Sequence, residues 1–586
     1  MTGDVVAAEQ AESDCDCAER RQQEHVGAGE FESEKKRGAR GHGDCAGAGE
    51  HHEAEAGEVK RGESEEGGDG AEHIELEFCA VVSLSSFASA AEIARRVRAR
   101  EVSPVEVARE HVERIAALNA ALNAFVDWQP ELVMEQARAA ERALMRAGAG
   151  GSLPGGIGPL HGVPVSIKSS IDVAGHRCEA GSRLRAGYVA EADAPLVARL
   201  RTAGAVILGV TNTPEYLMAW ETDNLLYGRT NNPWDLARTA GGSSGGEAAA
   251  IAAGLSAGGV GSDGGGSIRV PAHFCGICGL KPTPGRIPST GHFPKSGGPF
   301  ALLGVVGPMA RTVEDLRVLF EVMTGWDDGD PCSAPVGIRF DRRERPHSKI
   351  AQNAILEWGA VESSVGNEGG NFVGFFVDDG RTPGTAETRA AVEGAASALV
   401  DAGLRVEGFR PDGLEEAREL WWQFFGVAGG MILGPMVRGR EAELSPLLQE
   451  FCSWTPAGHG AEAHSGESLL SAWLRRDELR ERVLQQMRRY TVLICPVAAV
   501  PAFRHGEREW IVEGKTVKYL DAWSYCEWFN VLGFPAAVVP FGRSAEGLPI
   551  GVQIVGRPWE EEAVLEIAAL VERAGERRMH GENALR

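Results

Sequence analysis

Three neighbouring runs decide how this chain folds: GGSSGG at residues 241–246, GSDGGGSIRVPA at 261–272 and CGICGLKPTP at 275–284. Glycine lets a ligand approach the backbone because no Cβ stands in the way, and it tolerates positive φ. A row of glycine amides is therefore an anion cradle, and the run from Ser262 to Ser267 suits the oxyanion of an attacked carbonyl. Ser267 closes that run, which makes its hydroxyl a candidate nucleophile. A serine hydroxyl is weak at its free pKa, so a base has to come from elsewhere in the chain. Runs of glycine and serine are most often linkers. Here an apolar stretch at 248–255 follows at once and reads as a buried helix, which argues for a packed site.

One candidate base stands at the end of HGVPVSIK, residues 161–168, where Val163, Val165 and Ile167 alternate as in a strand that delivers Lys168 to its edge. Desolvation pushes a lysine toward its neutral form, and a neutral amine accepts a proton from serine. Histidine is the other candidate, and His273 follows the glycine-rich runs directly. A lone lysine at a strand end is usually a solvated charge. Its spacing to the serines is what singles Lys168 out.

Together these motifs resemble the amidase signature family: Lys168 lies 75 residues before Ser243, and Ser243 lies 24 before Ser267, the order and approximate spacing of the family's Lys, Ser, Ser triad. The resemblance spans roughly residues 83–575 and includes NVLGFPAAVVP and GLPIGVQIVG near the C-terminus. It implies Ser267 as nucleophile, Ser243 as a bridging serine after a cis peptide from Gly242, and Lys168 as general base. Gly264, Gly265 and Gly266, with Ser267, would supply the oxyanion amides. In such a relay Lys168 draws a proton from Ser243, Ser243 draws one from Ser267, and Ser243 later protonates the leaving nitrogen, without which an amide's amine departs poorly. One departure stands out. Many members resemble VKDN or IKDN after the lysine, whereas this chain reads Lys168, Ser169, Ser170, Ile171, Asp172.

The same residues admit other readings. Asp263 and Arg269 flank the nucleophile and read as a buried ion pair supporting the loop. GGSSGG also satisfies G-x-S-x-G through Gly242, Ser244 and Gly246, the nucleophile elbow of an α/β-hydrolase, but leaves Ser267 and Lys168 unexplained. No GK[ST] follows the glycines, so a Walker loop fails. Cys275 and Cys278 form a CxxC with no second CxxC to complete a zinc site and read as core thiols. No metal and no cofactor are expected. Leu217, Met218 and Trp220 in NTPEYLMAW are candidates to line an acyl pocket, with core packing as the competing role.

The 586 residues are 43% hydrophobic and carry a net charge of -24. Of that charge, -14 falls in residues 1–80, where 22 acidic residues face 8 basic ones. With two aromatics, Phe31 and Phe78, this segment buries too little to fold and is expected to be disordered. Dispersed cysteines fit reduced thiols. No signal-peptide pattern and no uninterrupted apolar run of about eighteen residues is seen. A cytoplasmic protein without a membrane span, taking a small-molecule amide and no nucleic acid directly, is expected, and a homodimer is compatible with it.

Downstream, Ser89–Glu92 and Ser103–Glu106 read as capping boxes, the second with Pro104 at the first helical position. Helices are expected near 196–201, 387–402, 414–425 and 560–574, and strands at 205–210, 491–495, 536–540 and 550–556. That alternation argues for an α/β fold. The family resemblance implies a large mixed β-sheet covered by helices over residues 83–580, with 337–372 as an irregular surface insertion. The function that follows is hydrolysis of the C–N bond of a carboxylic amide. The glutaminase component of a tRNA-dependent amidotransferase and a catalytically silent scaffold are the alternatives. Against the glutaminase, Val270 stands where that component typically has glutamine.

Overall fold

Both serines cap their helices, but only the second makes the expected capping box, because the Glu92 carboxylate is held by Arg95. Ser89 Oγ accepts the N–H of Glu92 at 3.1 Å and opens helix Ala90–Arg98. Ser103 makes a full capping box with Glu106, and Pro104 begins helix Pro104–Leu122. The computed structural model describes residues 87–147, 157–295, 297–338, 372–453 and 465–581. The acidic segment 1–80 lies outside the described residues, as do 339–371, nearly all of the expected insertion.

Helix and strand then alternate into an 11-stranded mixed sheet. Its spatial order begins Phe125–Trp128, Val206–Thr211, Pro164–Lys168, Gly258–Asp263, Val305–Ala310 and Cys278–Lys281. It continues through Ala536–Arg543, Pro549–Gly556, Tyr490–Pro496, Phe372–Phe375 and Arg405–Gly408. Pro164–Lys168 runs parallel to both of its neighbours. Three adjacent strands therefore bring their C-terminal ends to one edge, the place where open α/β sheets bind ligands. The centre of the sheet is antiparallel, from Gly258–Asp263 through Tyr490–Pro496.

Helices cover both faces, and alternate residues of one strand show it. Leu208, Leu493 and Val538 join one buried cluster with Ile251, Phe274 and Trp421. Their neighbours Ile207, Ile494 and Val539 join the other, with Leu319, Leu399 and Val571. A side-chain period of two on a sheet buried from both sides yields the near-continuous apolar runs seen in the sequence. The expected helices and strands all appear, several of them longer than read, most of all Glu561–Gly581 and the stretch that starts at Leu414. The latter passes from Leu414–Trp421 through a π-helical turn, Trp422–Val427, into Ala428–Val437. By length and composition, Leu414–Val437 is the one helix among the described residues that is long and apolar enough to cross a membrane. Its Trp421 and Phe424 are fully buried in the core.

Helix Gly245–Ala252 is buried on nearly every side, as its apolar sequence requires. Its first turn presses on the end of strand Val206–Thr211. A Cβ at Gly246 would sit 2.5 Å from the Asn212 nitrogen and 2.6 Å from its carbonyl oxygen. Backbone cannot yield as a flexible side chain does, so Gly246→Ala should cost about 1–3 kcal/mol. The expected readout is a lower urea midpoint at unchanged m-value. An unchanged midpoint would show that the helix has room to move.

Candidate active site

Lys168 is the last residue of a strand whose five residues are all buried, and its own side chain has no exposed surface. Its Nζ reaches three hydroxyls: Ser243 Oγ at 2.7 Å, Ser244 Oγ at 3.0 Å and Ser262 Oγ at 3.1 Å. Burial holds its pKa well below the ordinary lysine range, against the pull of the Asp263 and Glu247 charges. The peptide bond Gly242–Ser243 is cis, as the resemblance implies. Ser243 and Ser267 line one cavity. Their hydroxyls are not hydrogen-bonded to each other. The two segments are joined instead by the Ser244 N–H, which donates to the Ser267 carbonyl at 3.1 Å.

The loop before Ser267 is fastened by a buried ion pair. Arg269 meets Asp263 twice, Nε on Oδ2 at 2.9 Å and Nη2 on Oδ1 at 2.8 Å. Neither side chain has exposed surface. Burial alone would raise the Asp263 carboxyl; the Arg269 guanidinium overrides it and holds it well below the usual carboxylate range. Asp263 also accepts backbone N–H groups from Gly266 at 2.8 Å and Ile268 at 3.1 Å. The Gly266 amide is thus already engaged. Among the described residues the N–H groups of Gly264, Gly265 and Ser267 have no such partner, so the expected cradle loses one of its four donors.

The chain is similar to known proteins in sequence and in fold. The Amidase family pattern matches residues 106–565. The chain belongs to the amidase family. It is 33% identical over 496 residues to an indoleacetamide hydrolase of Bradyrhizobium diazoefficiens, covering 83% of this chain and 86% of that one. It is 32% identical over 511 residues to a component of the glutamyl-tRNA(Gln) amidotransferase of a Synechococcus species, covering 82% and 90%. A bacterial aryl acylamidase of the amidase signature family superposes with a TM-score of 0.69 at 27% identity, over 84% of this chain and 97% of that one.

In this amidase-family chain Ser267 lies between two apolar cavities. The larger is walled by Leu217, Met218, Phe300, Val305, Phe425 and Leu433, with His292 and Lys295 also in its lining. The smaller is walled by Trp220, Trp421, Phe425 and Phe451. Leu217 and Met218 border both cavities and Trp220 only the smaller, so all three expected pocket residues reach the site. Tyr216 and Leu217 hold φ of 49° and 68°, values a bulky side chain adopts only where its surroundings impose them. The residues from 300 and from 421–451 are not singled out by any motif. An aromatic helix reads as core, and this one is both core and wall.

The competing candidates are placed elsewhere. Ser244 is fully buried and lines neither cavity; its Oγ donates to the Ser262 carbonyl at 3.2 Å. His273 accepts the Gly551 N–H at 2.7 Å through Nδ1 and meets the Val500 carbonyl at 3.3 Å through Nε2, so both ring nitrogens are occupied. Cys275 and Cys278 are buried free thiols. Glu247, which no motif marks, is buried beneath Lys168 with Thr211 Oγ1 at 2.8 Å and Ser166 Oγ as partners. Burial pushes its carboxyl up to about 7.

Removing one member of a buried ion pair strands the other. Arg269→Met should therefore cost about 3–5 kcal/mol of folding free energy, whereas a double replacement of Asp263 and Arg269 by apolar residues should cost less. Equilibrium denaturation of both variants checks this. A double variant less stable than the single would mean that the carboxylate's backbone contacts outweigh the pair.

Proposed function

We propose that this protein hydrolyses neutral amides bearing apolar groups on both sides of the scissile bond, through an acyl-enzyme on Ser267. The observation that carries the reading is a buried, neutral-leaning Lys168 bonded to Ser243, in a cavity that Ser243 shares with Ser267. Lys168 takes the Ser243 proton, Ser243 takes that of Ser267, and Ser267 Oγ bonds to the carbonyl carbon while its π electrons move onto oxygen. The free amides of Gly264, Gly265 and Ser267 receive that oxyanion. Ser243 then returns a proton to nitrogen as the C–N bond breaks, and water repeats the attack on the ester. The open contact between Ser243 and Ser267 fits a site whose catalytic hydrogen bonds close when substrate arrives.

Membership in the amidase family and likeness to an indoleacetamide hydrolase and an aryl acylamidase support the amide bond as target. The apolar walls on both sides of Ser267 support the substrate class. Likeness to a component of a glutamyl-tRNA(Gln) amidotransferase supports a second reading, a glutaminase. Glutamine brings an ammonium and a carboxylate, and among the described residues the one carboxylate lining the cavity, Asp263, is committed to Arg269. That favours the neutral substrate. Free thiols at all seven described cysteines are in keeping with a cytoplasmic setting.

A panel of anilides, alkyl amides, primary amides, matched esters and glutamine tests this with wild type and with Ser267→Ala, Ser243→Ala, Lys168→Ala and Ser244→Ala. Turnover should favour N-substituted apolar amides and vanish in Ser267→Ala. Lys168→Ala should lose more on amides than on esters, because departure of the amine needs the returned proton. Equal losses, or turnover restricted to glutamine, would contradict the proposal.

The pH profile follows from the lowered Lys168 pKa. Protonation removes the base, so kcat/KM should fall on the acid side only, with its inflection well below the ordinary lysine value of about 10.4. A rate that keeps climbing through that value would mean that Lys168 titrates as a solvated amine.

A further inference from the structure

We infer that Trp421 is a positioning residue for the oxyanion loop: its indole N–H, together with that of Trp220, fixes the direction in which the Gly264 and Gly265 peptide groups face. The inference rests on the reading of Ser267 as nucleophile and goes beyond it, because Trp421 lies 157 residues from the loop it holds.

A trans peptide points its carbonyl oxygen and the next N–H in opposite directions. Trp421 Nε1 donates to the Gly264 carbonyl at 2.8 Å. The Gly265 N–H, which belongs to the same peptide group, therefore faces away from the indole, and it is one of the amides left without a partner. Trp220 Nε1 donates to the Gly265 carbonyl at 2.8 Å. That turns the Gly266 N–H the other way, onto Asp263 Oδ1 at 2.8 Å. Both ends of this short ladder are pinned.

Pinning is needed because three consecutive glycines flip a peptide group at little steric cost. A flipped Gly264–Gly265 peptide would present a carbonyl oxygen where the oxyanion needs a donor. It would also orphan a buried indole N–H, and a buried donor without a partner bears its full desolvation cost. Trp421 has no exposed surface and Trp220 only 4%. The indoles therefore select one of two loop states that the glycines alone would populate together.

The rings have little freedom of their own. Trp421 stacks on Phe425 with centroids 4.6 Å apart and planes within 13°, and it meets Trp220 at 5.8 Å. Trp220 stacks in turn on Trp523 at 6.1 Å, and its backbone N–H donates to Tyr519 Oη at 3.0 Å. Close approach works in both directions. A Cβ on Gly265 would stand 2.5 Å from Trp421 Cζ2, and one on Gly264 2.6 Å from Phe425 Cε2.

The test is Trp421→Phe, which keeps an aromatic ring and removes the donor, with active sites counted by fluorophosphonate titration. Deleting a direct oxyanion donor costs about 10²–10³ in kcat. Loss of a group that only orients one should lower kcat per active site about tenfold or more, beyond any change in KM from the smaller ring in the cavity wall. Affinity for a trifluoromethyl ketone, whose adduct carries the oxyanion, should fall by the same factor, while that for the matched alcohol stays put. A purely structural role would lower melting temperature and active-site count and leave kcat per site unchanged; that result overturns the inference. Should Trp421→Phe not fold, 3-benzothienylalanine at position 421 keeps the bicyclic shape without the N–H and is read the same way. Ser267→Ala separates the levels: a variant that still turns over removes the nucleophile reading and this inference with it. An inactive Ser267→Ala beside a fully active Trp421→Phe sinks the inference alone.

Discussion

The Asp263 carboxylate, buried with Arg269, is the fixed point about which the site is built. Two charges withdrawn from water attract strongly, but their desolvation offsets the gain unless every remaining polar atom finds a partner. Here they do. Asp263 takes two arms of Arg269 and the N–H groups of Gly266 and Ile268, and Asn530 Nδ2 adds a contact at 3.0 Å. Arg269 Nη1 donates to the Cys526 carbonyl at 3.0 Å and to Gln553 Oε1 at 2.6 Å. Asp263 ends one strand, Arg269 begins the helix after it, and Gln553 lies in strand Pro549–Gly556. One ion pair thus closes the loop carrying Ser267 and ties it to the C-terminal part of the sheet.

Lys168 is governed by an opposite balance. Asp263 keeps its charge because a guanidinium touches it, whereas Lys168 touches only hydroxyls while its nearest carboxylates act through space. Hydroxyls both donate and accept, so they serve the neutral amine as well as the ammonium. Burial then decides for the neutral form. An acidic residue directly after the lysine would weigh on the charged side; Ser169 stands there, buried, with no hydrogen-bond partner for its Oγ. Serine at that position spares Lys168 another negative neighbour.

What the sequence made legible was local. Caps, strand ends and the glycine-rich runs are written within a few residues, and they located the sheet edge where Lys168, Ser243 and Ser267 gather. Partner choice across the fold is not written that way. Four consecutive amides from Gly264 to Ser267 look equivalent as sequence; Asp263, three residues before Gly266, singles that amide out while Asn530 and Arg269, itself anchored on Gln553, hold the carboxylate. His273 looked like a base by proximity in the chain, yet Gly551 and Val500, more than two hundred residues away, occupy its ring. The walls from Phe300 and from 421–451 share a periodicity with any buried helix. Nothing in a 3.6-residue stripe tells a wall from a core.

The aromatic wall joins two properties that are usually assigned to different residues. Trp220 and Trp421 border the smaller cavity and hold the glycine loop with their ring nitrogens. A rigid indole cannot move its face without moving its N–H, because both belong to one plane. Whatever occupies that cavity therefore bears on the same bodies that orient the Gly264 and Gly265 peptides. A bulky group that tilts Trp421 loosens the loop, and one that fills the space without tilting it braces the loop. On the proposed function, discrimination between substrates would then show in kcat as well as in binding, since the wall that would measure the substrate also supports the amides that would receive its charge.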